Sequence, residues 1–157
     1  MPSERVTIRT LDGDCPSHVV IPFRGGPWPA VLFYMDAGGI RPAMLDMAQQ
    51  LAEAGYIVLL PDLFYRYGPY GPFVPKEVFA GDFRAVLGPL MATTSPLKAA
   101  EDAEAILAYL DTRDDVGGRK VGVVGFCMGG GMALATAQRE PTPSGSRQPQ
   151  AFTGAIS

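Results

Sequence analysis

The chain has 157 residues, 47% apolar and 18% charged, with a net charge of −3. That length fits one domain with a real core, and the composition excludes a disordered chain. No Lys/Arg cluster stands out, which disfavours a nucleic-acid partner, and no apolar run approaches the ~18 residues of a membrane span.

In chain order, "RVTIRTLDG" alternates apolar and polar residues and ends on Asp12-Gly13, a turn signal, and "SHVVIP" follows. Two short strands joined by a turn imply an antiparallel hairpin at a sheet edge. "AVLFYMD", 30–36, is a continuous apolar run, as in a strand buried on both faces. "RPAMLDMAQQLAEAG" reads as a helix with Pro42 in its first turn, a stripe of Leu45, Ala48 and Leu51/Ala52, and Gly55 closing it. "YIVLLPD", 56–62, is a second buried strand.

Residues 63–94 are irregular, with one short helix expected near 76–87. Seven of the fifteen aromatic residues fall in this segment: Phe64, Tyr65, Tyr67, Tyr70, Phe73, Phe79 and Phe83. A loop of this length is often a lid or the wall of a ligand site, although rings that only pack the loop onto the body read the same way. "SPLKAAEDAEAILAYLDTRDDV" is the clearest helix, with Ser95 as cap, Pro96 first, and a stripe of Leu97, Ala100, Ala103, Leu107 and Leu110. "KVGVVGF" is a third buried strand, and "GGGMALATAQRE" opens a helix. The stretch 141–150, "PTPSGSRQPQ", reads as a linker, and "AFTGAIS" as the start of a fourth parallel strand.

Alternating strands and helices predict an α/β fold, a mostly parallel sheet with helices on both faces and an N-terminal antiparallel hairpin. In such sheets ligands sit beyond the carboxyl ends of the strands, which here carry Asp36, Asp62 and Cys127.

"VGVVGFCMGGG", 121–131, breaks from strand into glycines around one cysteine. G-x-C-x-G-G between a buried strand and a helix has the form of a nucleophile elbow with Cys in place of Ser. Gly125, Gly129 and Gly130 would let strand and helix approach closely, and the Met128 N–H would face a developing oxyanion. The plain alternative is an inert cysteine at a glycine-rich turn. A phosphate loop does not fit, since no G-x-x-x-x-G-K-[ST] is present. A redox role for Cys127 lacks a resolving cysteine nearby in sequence; the only other one is Cys15. Two cysteines make no disulfide framework, and "MPSERVTIRT" has no apolar run of a signal peptide, so the expectation is free thiols in a cytoplasmic protein.

"GFCMGGGMAL" and "PAVLFYMDAGGIRPAMLDMAQQLAEAGYIVLLPDLFYR", 29–66, together resemble the dienelactone hydrolase family. The resemblance implies an α/β-hydrolase fold, a Cys-His-Asp triad, no cofactor, no metal, and a small ester or lactone substrate. It places Cys127 as nucleophile, the backbone N–H groups of Ala37 and Met128 as oxyanion donors, and Asp36 where the family often has a Glu beside the resting thiol. Arg66, with Tyr65 beside it, stands near the family's substrate-carboxylate arginines; Arg84 matches less well.

The family carries its Asp and His after the nucleophile, but the one histidine here is His18, on the early hairpin and read as a structural or surface residue. Residues 1–157 thus correspond to a single domain forming the N-terminal two-thirds of the family's. The expectation is a second fragment bearing His and Asp, or an inactive piece. A non-catalytic small-molecule-binding module with the same fold is the alternative.

Overall fold

A computed structural model describes residues 3–70, 77, 80–138 and 148–151. Strands β1 (Ser3–Thr10) and β2 (Gly13–Val20) form the expected hairpin around Leu11-Asp12. β3 (Trp28–Tyr34) leads into helix α1 (Pro42–Glu53), and β4 (Ile57–Pro61) follows. Helix α2 (Phe83–Met91), helix α3 (Pro96–Asp111), β5 (Val116–Gly125), helix α4 (Met128–Ala137) and β6 (Gln148–Ala151) complete the order.

The sheet order is β1-β2-β4-β3-β5-β6. β2 joins β4 antiparallel, whereas β4, β3, β5 and β6 run parallel. The crossover from β3 to β4 moves one way along the sheet and that from β4 to β5 moves back past β3. Right-handed connections in opposite directions put their helices on opposite faces. β3 and β4, covered on both sides, are apolar throughout, and Val31 to Tyr34 and Ile57 to Leu60 are all buried. Tyr34 ties the layers together, its hydroxyl 2.7 Å from Thr136 Oγ1 on α4 and donating to the Ala99 carbonyl of α3.

Three expectations shift in detail. On α1, Ala48 and Ala52 are buried as expected, but Met44 takes the place expected of Leu45, and Leu45 and Leu51 pack at the margin. On α3 the Ser95 cap forms as expected, accepting from the Lys98 N–H at 3.1 Å, but Leu97 is exposed and the buried face includes Asp102. Of the helix expected near 76–87, residues 77 and 80 are helical, and a separate helix, α2, runs over Phe83–Met91 with Asp82 as its cap, accepting from the Ala85 N–H. The end of the linker-like stretch pairs as β6, with Gln148 to Ala151 beside Lys120 to Val123. The rest of that stretch, "AFTGAIS" beyond Ala151, Phe73 and Phe79 lie outside the described residues.

Candidate active site

Because β4, β3 and β5 are parallel, the residues that follow them emerge at one edge of the sheet. The register pairs Tyr34 with Gly125, so the segments Met35–Ala37 and Phe126–Met128 leave side by side. Cys127 sits at the turn into α4 with φ 56° and ψ −117°, the single non-glycine residue with positive φ among the described residues. Such a conformation costs of order 1–3 kcal/mol and persists only where packing enforces it.

The enforcement is visible in two glycines. A Cβ on Gly125 would overlap the carbonyl of Gly129, and one on Gly129 would lie 2.5 Å from the Met35 carbonyl oxygen and 2.6 Å from that of Tyr34. Backbone of β3, β5 and α4 thus meets at one point. Gly130 is different: its Cβ would make an ordinary 3.6 Å contact with the Gly125 carbonyl.

Cys127 is exposed, whereas Cys15 is buried and its thiol is pushed up to about 12, mainly by burial. The Gly129 and Gly130 N–H groups bond back to the Phe126 and Cys127 carbonyls at 2.9 and 3.0 Å. The Met128 N–H, first in α4, takes no acceptor among the described residues, as expected of a helix start. The Ala37 N–H also takes none, although its neighbours do: Gly38 donates to Asp36 Oδ1 at 2.9 Å and Gly39 to the Asp36 carbonyl at 3.1 Å.

That loop is stapled from below. Arg41 donates to both Asp36 oxygens, at 2.6 and 2.9 Å, and to the Gly39 carbonyl. Asp36 therefore faces Arg41, and it makes no hydrogen bond to Cys127. From the other side Tyr70 stands against Gly39, donates to Asp62 Oδ1 at 2.7 Å and accepts from the Ile40 N–H at 3.4 Å. Burial, and then the Asp62 charge, push the Tyr70 phenol up.

Arg66 and Tyr65 are placed otherwise than a substrate clamp requires. Arg66 forms a two-pronged pair with Asp102 at 2.8 and 3.0 Å and donates to Asp12 at 2.8 Å. The Tyr65 hydroxyl donates to Asp102 Oδ1 at 2.9 Å and lies 2.7 Å from Thr10 Oγ1. The three Arg66 nitrogens and the Tyr65 hydroxyl all donate within the protein, and two carboxylates already surround the one guanidinium. Sequence reasoning missed Asp102; its signal was a single acidic residue on the apolar stripe of α3. Arg84 lies on α2, over the Phe83 ring. His18 is on β2, in a cleft whose walls include Asp62 and Tyr70 but neither Cys127 nor Met128. No cluster of His, Cys, Asp and Glu suited to a metal occurs among the described residues.

The family model for the dienelactone hydrolase family matches residues 16–146. The chain belongs to that family. A carboxymethylenebutenolidase of Rhodococcus opacus is 34% identical over 116 residues, covering 74% of this chain and 41% of that protein. One from Pseudomonas sp. (strain P51) is 30% identical over 121 residues, covering 77% and 49%. The chain thus spans about half the length of the curated relatives it matches. Among solved structures, a Klebsiella pneumoniae protein named for dienelactone hydrolase superposes with a TM-score of 0.72 at 21% identity, covering 88% of this chain and 55% of the other. A dienelactone hydrolase-like promiscuous phosphotriesterase, P91, from metagenomic libraries gives 0.59 at 24%, covering 87% and 54%. At these identities the likeness is one of fold, an α/β-hydrolase sheet. No helix among the described residues is long and apolar enough to cross a membrane.

Proposed function

We propose that this chain carries the nucleophilic half of a cysteine hydrolase acting on small esters or lactones. Cys127 Sγ attacks the substrate carbonyl carbon, its thiol proton passes to a base, and the carbonyl π electrons move onto oxygen. The N–H groups of Ala37 and Met128 hold that oxyanion; it then collapses, expels the alkoxide, which takes a proton, and leaves an acyl-Cys127 thioester. Water, activated by the same base, releases the carboxylic acid and restores the thiol.

The observation that carries this reading is the pair of acceptor-free N–H groups, on adjacent strand ends, that flank a strained and exposed cysteine. The base is the part this chain does not supply: its one histidine lies in a cleft that Cys127 does not line. The reading therefore includes a His, oriented by an Asp, from polypeptide outside residues 1–157. Asp36, held by Arg41, acts here by shaping the oxyanion loop, while Arg66 and Tyr65 fix the loop after β4.

Trapping tests the nucleophile. Incubation with p-nitrophenyl acetate and digestion at low pH should give one acetylated peptide, that of Cys127, absent from Cys127→Ala. Acetylation spread over lysines, with Cys127 unmodified in folded protein, overturns the assignment.

A further inference from the structure

A cleft of about 880 Å³ lies between the outer face of the β1–β2 hairpin, the start of α1 and the loop after β4. Its size suits a small organic molecule. Cys127, Met128, Ala37 and Asp36 are not among its walls, so the proposed hydrolase chemistry leaves it unexplained.

Three polar side chains converge there through strand register. Arg5 pairs with His18 across β1 and β2, and His18 pairs with Leu60 across β2 and β4, which sets Asp62 diagonally next to His18 on the same face. Two strand spacings and two residues of rise put Arg5 and Asp62 about 12 Å apart at their Cα atoms. The other charges at this face are spent: Asp14 on Arg9, and Arg41 on Asp36. Arg5 has no ion-pair or hydrogen-bond partner among the described residues, and neither has the His18 ring. Asp62 takes the Tyr70 hydroxyl and the Phe64 N–H on Oδ1, leaving Oδ2 without a donor. Leu45 and Pro42 of α1 add apolar surface to the same cleft.

We propose that this cleft is a second small-molecule site, for a compact organic carboxylate with a hydroxyl or ammonium donor at its far end. The carboxylate pairs with Arg5 and takes the His18 N–H, the body lies on Leu45 and Pro42, and the donor reaches Asp62 Oδ2. A free cation and an acceptor oxygen at opposite ends of one apolar trough select for both groups at once, which distinguishes this site from a nonspecific crevice.

His18 is the one histidine, so its ring proton resonances report the cleft without overlap. The 157-residue chain is titrated with 4-hydroxyphenylacetate, phenylacetate and methyl 4-hydroxyphenylacetate. Expected is a saturable shift of the His18 signals in the millimolar range with the first. The second, lacking the donor, and the third, lacking the carboxylate, should bind about tenfold more weakly or worse. Arg5→Ala should abolish the preference for the acid over its ester and Arg5→Lys should partly restore it. Asp62→Asn, checked for native near-UV circular dichroism, should erase the preference over phenylacetate. Carbamidomethylation of Cys127 should change nothing, so binding stands or falls apart from the hydrolase reading. No saturable shift, equal affinity for acid and ester, or loss of binding on Cys127 modification overturns the proposal.

Discussion

Arg66 and Asp102 meet in a two-pronged ion pair, 2.8 and 3.0 Å, with side chains only 10% and 4% exposed. The pair pins the loop after β4 to the inner face of α3, and Asp12 extends it to the hairpin turn. Removing one member of a buried pair leaves the other charge uncompensated, whereas removing both relieves the desolvation cost. Asp102→Ala should therefore lower stability by about 3–5 kcal/mol, and Asp102→Leu combined with Arg66→Met should recover most of it. Urea midpoints of the three proteins measure this. A single variant within about 1 kcal/mol of the parent would show that water already screens the pair.

The elbow makes a sharper claim, because its three glycines are not equivalent. Gly125→Ala and Gly129→Ala each drive a methyl into backbone carbonyls that no rotamer can move. Each should cost more than about 2 kcal/mol. Gly130→Ala, inside α4 with only an ordinary contact to make, should be neutral or gain about 0.5–1 kcal/mol from helix propensity. Cys127→Ser should fall near the parent. Thermal unfolding of the four variants decides whether the close approach is real; an alanine at 129 as well tolerated as one at 130 would refute it.

What the sequence revealed and what it hid follow one line. The order of elements, the hairpin and the three strand ends were legible because apolar runs and Gly/Pro punctuation are local signals. Gly125 and Gly129 were legible because a strand-to-helix turn around Cys127 leaves no room for Cβ. The pairing of Arg66 was not foreseen, since nothing local says that a guanidinium meets a carboxylate 36 residues away. Asp102 was passed over on the helix stripe for the same reason. Ala48 and Ala52 of the α1 stripe were read correctly, but Leu45 was read where Met44 is buried, because two adjacent apolar residues leave the edge of the stripe undefined by pattern alone.

The cleft should leave a pH signature of two opposed parts. Burial, and then the Arg5 charge, push His18 below its usual 6.5, while burial pushes Asp62 above 3.8. Between the lowered His18 value and 6.5 the unfolded chain holds more protons, so stability rises with pH. Between 3.8 and the raised Asp62 value the folded chain holds more, so stability falls as pH rises. His18→Asn should flatten the acid-side loss below pH 6.5, and Asp62→Asn should steepen the net rise of stability with pH by removing the opposing part. Urea unfolding at half-unit steps from pH 4.5 to about 7 reads both slopes. Parallel profiles for parent and His18→Asn would contradict the burial of His18 in the fold.

The proposed nucleophile, without a base beside it, makes the last case. Cys127 has its turn and two open N–H groups, but no imidazole in these 157 residues reaches it. Losing the base of an acyl-transfer triad leaves about 10³–10⁴-fold catalysis over water, from binding and the oxyanion hole alone. The chain by itself should thus acylate once on p-nitrophenyl acetate and deacylate slowly, with a burst near one equivalent of p-nitrophenol and little turnover after it. Free imidazole added to the solution can enter the exposed site, take the thiol proton and later activate water. It should raise the steady-state rate in the parent well beyond its effect in Cys127→Ala, where only background hydrolysis remains. N-methylimidazole, which accepts and returns a proton at its one basic nitrogen, should rescue in the same way. If the parent turns over freely without imidazole, and Cys127→Ala does not, then a base within the chain serves Cys127. Asp36, freed from Arg41, is the group to replace first.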